Sequence, residues 1–163
     1  MKKPTVKAKN EEFLLTAEGA ARLKAELEEL TGTARKALAH RLRNAIQMGD
    51  LSENAEYHKA KEDQSFLEGR IQELEHILRN VVIIESTSAA RDYVSVGSRV
   101  TVQEAGQPPE TYLLVGAKEA DPQNGKISNE SPIGKALLDR RIGEEVEINT
   151  PAGGLHLRIL KIE

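Results

Sequence analysis

Apolar residues recur at Leu23, Leu27, Leu30, Ala34, Leu38, Leu42 and Ala45, in steps of 4, 3, 4, 4, 4 and 3. That spacing predicts one long helix with a single apolar seam. The three consecutive fours form a stutter, which locally unwinds a coiled coil. A second seam runs through Ala60, Gln64, Leu67, Ile71, Leu74, Leu78 and Val81, alternating steps of 4 and 3. It predicts another helix with a narrow heptad stripe, which suits two helices zipped antiparallel better than a globular bundle. Thr16 is the expected N-cap of the first helix, with Leu15 before it and Glu18 in the first turn. Gly49 is the expected stop, and a loop of a few residues returns the chain. Thr16 to Met48 is 33 residues, or about 50 Å of helix at 1.5 Å per residue. That exceeds the diameter of either half folded compactly, so the hairpin is expected to project.

From about residue 81 the period changes. Val81–Ile84 is a short β-branched run, and Val94, Val96, Val100 and Val102 keep a two-residue period interrupted by Gly97 and Ser98. Tyr112–Val115 is a further strand candidate. Pro132–Leu138 reads as a short helix with Ser131 as cap and Pro132 in its first position. Val146 and Ile148 pair with Leu155, Leu157 and Ile159 across the turn residues Thr150–Gly154. The expectation is a small antiparallel sheet with one helix covering it, and an α+β chain divided near Asn80. Composition agrees: eight of the twelve glycines and five of the six prolines follow residue 80. Met1–Asn10 carries four lysines and no apolar stretch after them, so residues 1–12 are expected to be a disordered tail rather than a signal peptide. Residues 13–80 form the arm and 81–163 the second domain in this reading.

Charge and composition narrow the function. The chain has 163 residues, 23 Lys and Arg against 26 Asp and Glu, a net charge of -3, and no cysteine. Cysteine-ligated metals, disulfides and thiol nucleophiles are excluded. A mildly acidic chain with 3% aromatics is a poor free binder of nucleic acid. No apolar run reaches the roughly 18 residues of a membrane span, and a cytoplasmic protein is expected. His40, His58, His76 and His156 lack metal-ligand spacing.

The informative segment is the hairpin tip, Gly49–Tyr57. Asp50, Glu53 and Glu56 stand at intervals of three, which on a helix start would align them on one face. Carboxylates so grouped can bind a hard divalent cation and orient a water. Asp50 followed by Glu53 is equally the sequence form of a capping box. Capping accounts for acids at a helix start, but not for a long arm presenting them at its far end. Between Glu29 and Asp50 there is no acid, whereas Arg35, Lys36, Arg41 and Arg43 are basic. Such a strip is either a solvated helix face or a local hold on a phosphate backbone. Tyr57 either stacks on a base or covers the seam.

The run Gly49-Asp50-Leu51-Ser52-Glu53-Asn54-Ala55-Glu56-Tyr57-His58 resembles the signature of the bacterial Gre transcript cleavage factors, of the GreA type in particular. Ala60-Lys61-Glu62, Phe66–Ile71, Ile127-Ser128, Ser131–Leu138 and Thr150–Gly154 extend the resemblance in order over nearly all of 13–163. The resemblance implies an N-terminal antiparallel coiled-coil hairpin and a C-terminal domain of FKBP-like fold. It implies a transcription elongation factor that binds the bacterial multisubunit RNA polymerase through the second domain. The coiled coil would enter the secondary channel and place its tip at the polymerase active site, beside the nascent RNA 3′ end. The family's two catalytic acids fall on Asp50 and Glu53, which would help hold a second Mg²⁺ and the attacking water. Asn54, Glu56 and Tyr57 fall in the same tip motif as supporting residues, and the basic strip would lie beside extruded RNA. No cofactor is expected in the free protein, which is read as a monomer and as no enzyme by itself. The alternative within the same family is a secondary-channel inhibitor without cleavage activity. A coiled-coil scaffold unrelated to polymerase is the more general alternative. The FKBP-like fold does not by itself imply prolyl isomerase activity, and so few aromatics argue against an aromatic proline pocket.

Overall fold

The structure, a computed structural model, describes residues 12–50, 52–85 and 91–163. The expected tail, apart from Glu12, lies outside the described residues. The chain forms two compact units: one is Ala20–Asn80, and the other joins Val81–Glu163 to the described residues up to Gly19.

The first unit is a helical hairpin. Helix α1 (Ala17–Glu29) passes through a π-helical turn at Leu30–Ala34 into α2 (Arg35–Gln47), and α3 (Ala55–Arg79) returns. The π turn falls on the first of the three consecutive four-residue steps. There the Arg35 N–H reaches back to the Leu30 carbonyl, absorbing the extra residue that the stutter inserts. Thr31 and Thr33 are β-branched and Gly32 is a weak helix former, and the Thr31 hydroxyl donates to the Leu27 carbonyl at 2.7 Å. Every residue of the first seam is buried or half-buried, with Leu23, Leu38 and Ala45 fully so. The second seam packs likewise through Ala60, Ile71 and Leu74. Ile77, 1% exposed, lies beside that stripe and widens it. The 25 residues of α3 give the hairpin about 38 Å of length.

Ion pairs cross the hairpin at three levels. Arg70 holds Glu26 with two hydrogen bonds of 2.7 and 3.0 Å. Arg35 holds Glu68 in the same forked way at 2.9 and 2.7 Å, and Arg41 meets Asp63 at 3.0 Å. The hydrogen bond and charge of Arg35 hold Glu68 below the usual carboxylate range. Arg41, and then Lys59, do the same to Asp63. These pairs favour one register of the two helices.

The second unit holds two sheets. Strand β1 (Phe13–Thr16) pairs in parallel with β2 (Val81–Ile84), register Phe13↔Val81 through Thr16↔Ile84. Phe13–Thr16, read from sequence as the start of the arm, thus belong to a sheet. The second sheet has five strands: β3 (Arg99–Glu104), β4 (Glu110–Val115), β5 (Lys126–Ser128), β6 (Glu145–Thr150) and β7 (Gly153–Ile162). They lie in the order β5-β4-β3-β7-β6. Every neighbour pair is antiparallel except β4 and β5, so the expected all-antiparallel sheet is corrected at that edge and at β1–β2. The two-residue period drawn through Val94 and Val96 is also corrected. That strand begins only at Arg99, because Val94–Ser98 turn on a 3.0 Å bond from the Ser98 N–H to the Ser95 carbonyl. Val94 still fills the core. The β6–β7 hairpin has the expected pairs, Val146↔Leu157 and Ile148↔Leu155.

Helix α4 (Pro132–Leu137) is capped by Ser131, whose hydroxyl accepts from the Gly134 N–H at 3.0 Å. Leu137 enters the core with Val100, Val102, Leu114, Val146, Ile148, Ile159 and Ile162. Thr16 caps α1 as expected, accepting from the Gly19 N–H at 3.0 Å. Its N–H and hydroxyl in turn donate to Glu119 at 2.8 and 2.6 Å. Glu119 is 1% exposed, with the Lys126 ammonium 3.6 Å from its carboxylate. Gly19 is required here, since a Cβ would sit 2.3 Å from the Glu119 carboxyl carbon. Among the described residues no helix is long and apolar enough to cross a membrane.

Candidate functional site at the hairpin tip

Helix α2 ends at Gln47, and Gly49 takes φ +116°, a left-handed conformation that glycine adopts freely. Helix α3 begins after Asn54, whose Oδ1 accepts from the Tyr57 N–H at 3.1 Å. The capping-box reading of Asp50 and Glu53 is therefore corrected: the cap is Asn54, and the position that a box would fill with Glu or Gln is Tyr57. The expected helical face is corrected with it. Asp50 and Glu53 lie in the turn ahead of α3, and only Glu56 is in its first turn, where it suits the positive end of the helix.

Asp50 is held in an Asx turn. Its Oδ1 accepts from the Ser52 N–H at 3.0 Å and from the Ser52 hydroxyl at 2.9 Å. These two bonds, the backbone one first, hold its carboxyl below the usual range. The group stays ionised, while no hydrogen bond among the described residues engages its Oδ2. Ser52 is itself tied to α3, its carbonyl 3.4 Å from His58 Nε2. Asp50, Glu53 and Glu56 are exposed; Asn54 and Tyr57 are half-buried. The Tyr57 ring meets His58 edge-on, with centroids 5.6 Å apart. Asn54 also donates from Nδ2 to the Ala45 carbonyl at 2.6 Å.

Two exposed carboxylates fit a magnesium ion chemically. The metal prefers hard oxygen donors, takes one or two carboxylates, and keeps several waters. Among the described residues no group of three or more His, Cys, Asp or Glu is placed to hold a metal.

The basic strip divides in two. Arg35 and Arg41 are engaged by Glu68 and Asp63 of the facing helix. Lys36 and Arg43 are exposed and form no ion pair with a described residue. The acids that neutralise half of the strip come from a helix more than twenty residues further along the chain, beyond the local window in which the strip was read. Ser52 is not singled out by the sequence reading, although its signal is local: an Asp followed two residues later by Ser is the pattern of an Asx turn. Glu119 left no local signal; its partner Thr16 is 103 residues away.

Both parts of the chain match family models. Residues 13–83 match the family model described as "Transcription elongation factor, N-terminal". Residues 89–163 match "Transcription elongation factor, GreA/GreB, C-term". The chain is 45% identical over 157 residues to the transcription elongation factor GreA of Limosilactobacillus fermentum, covering 96% of this chain and 99% of that protein. It is 49% identical over 149 residues to the GreA of Chloroflexus aggregans, covering 91% and 95%. Among solved structures, it is similar to GreA factor homolog 1 of Thermus thermophilus, at 29% identity and a TM-score of 0.43 over 94% of this chain and 99% of that one. With both family models matched in order and relatives aligned over nearly their full length, the chain belongs to the GreA/GreB family of transcription elongation factors.

Proposed function

We propose that this chain stimulates the Mg²⁺-dependent cleavage of a backtracked transcript by RNA polymerase, with the polymerase as the enzyme and this chain as its factor. The second domain docks on polymerase, and the hairpin enters the secondary channel as a single copy. Asp50 and Glu53 then reach the polymerase active site beside the nascent RNA 3′ end. The setting is the cytoplasm, where that polymerase works. The observation that carries this reading is the state of Asp50: ionised, exposed, fixed by Ser52 through one oxygen and, among the described residues, not engaged at the other.

In a two-metal site, Mg²⁺ stabilises the attacking and leaving oxygens of an in-line displacement and lowers the pKa of a bound water. The chain's own part is positional. Asp50 and Glu53 supply negative oxygens on a turn pinned at both ends, which lowers the reorganisation needed at the reacting centre. Glu56 supports the start of α3, and Tyr57 packs at the tip. Lys36 and Arg43 are the cations left to attract a phosphate backbone.

The test is a stalled, backtracked elongation complex given this protein and Mg²⁺, with the RNA followed on a gel. Short 3′ fragments are expected, along with renewed extension of the shortened transcript. Inhibition of synthesis without fragments would instead assign the chain to channel blocking, and no effect would assign it a role away from polymerase.

A further inference from the structure

One tip side chain touches both helices of the hairpin. Asn54 caps α3 through Oδ1, at 3.1 Å from the Tyr57 N–H. Through Nδ2 it donates to the Ala45 carbonyl of α2 at 2.6 Å. The orientation of the amide follows from its partners, because turning it over would set oxygen against oxygen and N–H against N–H. Ala45 lies in the last turn of α2, where carbonyls lack a helical partner. Its oxygen accepts one further bond, from the Met48 N–H at 3.2 Å. Asn54 therefore ties the end of one helix to the start of the next, and the turn between them carries both Asp50 and Glu53. Glu53 is its immediate neighbour in the chain. Closing the turn with a side-chain bond cuts the set of positions the two carboxylates can visit.

We infer that Asn54 is the positioning residue of the tip: its bond to the Ala45 carbonyl sets where Asp50 and Glu53 stand when they meet the metal. The inference rests on the proposed cleavage role. It differs from helix capping, which Ser or Asp would perform about as well as Asn. Neither of those residues carries an amide donor to offer Ala45. Asn54→Ser is a shorter neutral cap, and Asn54→Asp keeps the shape but sets a carboxylate oxygen against the carbonyl.

The experiment measures transcript cleavage by full-length protein on a backtracked polymerase complex, as a function of protein concentration, for wild type, Asn54→Ser, Asn54→Asp and Asp50→Asn. Helix content and thermal unfolding are followed by circular dichroism. Misplacing a reacting group by about 1 Å costs on the order of 100-fold. Both Asn54 variants should lower the rate at saturating protein by at least about tenfold, with unchanged helix content. The half-saturating concentration should stay within about twofold, because docking is made elsewhere. Wild-type rates at saturation in either variant overturn the inference. So does a loss of rate that tracks a loss of helix content, or one that appears only as a raised half-saturating concentration. Asp50→Asn separates the two levels. If wild type releases no fragments, the cleavage role itself falls; if Asp50→Asn cleaves at the wild-type rate, its part in the chemistry falls and the positioning role with it; if it is inactive while the Asn54 variants are normal, only the positioning role falls.

Discussion

Asp50 and Glu119 each accept hydrogen bonds from the backbone N–H and the hydroxyl of a single residue, Ser52 for one and Thr16 for the other. What differs is burial and the number of oxygens engaged. Glu119 is buried, uses both oxygens on Thr16, and has Lys126 beside it. Its two oxygens hold Thr16, the cap of α1, which lies in the same unit. Asp50 is exposed and receives both Ser52 bonds on one oxygen, and no described residue bonds to the other. A carboxylate enclosed with its partners is structural, whereas the one pinned at a single oxygen in water is the one to which the proposed function gives a part in the chemistry.

Several variants sharpen that contrast. Glu119→Ala leaves the Thr16 N–H and hydroxyl buried without an acceptor, and leaves Lys126 with Glu18 at 3.8 Å as its remaining carboxylate. Breaking such a cluster costs about 2–4 kcal/mol, read by denaturant unfolding, and a loss below about 1 kcal/mol would show that the cluster is peripheral. Gly19→Ala comes next. Helix propensity alone would favour it by about 1 kcal/mol, but the new Cβ would stand 2.3 Å from the Glu119 carboxyl carbon. Overpacking costs of about 1–3 kcal/mol should win, and a net stabilisation would contradict the tight approach.

On the arm the effects are smaller. Lys36→Gln with Arg43→Gln should weaken the transcript effect about threefold at low salt and leave unfolding unchanged. Equal loss at all salt concentrations would count against a phosphate contact. Smallest is the acid response. Glu68 and Asp63 have folded values below their ordinary 4.5 and 3.8. Their contribution is therefore present above the ordinary values and is lost as pH falls through the lowered ones. A slight drop in the unfolding temperature from pH 5 to pH 3 should shrink in Arg35→Gln/Glu68→Gln, and an identical drop would assign it to other acids.

The elements that were legible in the sequence are those fixed by local physics. The seams, the stop at Gly49, the caps Thr16 and Ser131, and the β6–β7 hairpin all depend on residues a few positions apart. The stutter even marked where the first helix takes its π turn. What stayed hidden was made by distant partners: the pairing of β1 with β2, the parallel edge strand β5, the acids that claim Arg35 and Arg41, and Glu119. At the tip the acids were legible as a group, but their setting was not. Their three-residue spacing suggested a helical face, whereas Asn54, by capping α3 and holding Ala45, keeps Asp50 and Glu53 in the turn before it.

The most direct test compares wild type with Asp50→Asn and Glu53→Gln in the backtracked-complex assay, measuring polymerase binding and RNA fragments side by side. Each variant should bind as wild type does and lose cleavage by about 100-fold or more, the scale set by removing one preorganised electrostatic contact in a reacting site. Normal cleavage by both variants would contradict the assignment of chemistry to the tip.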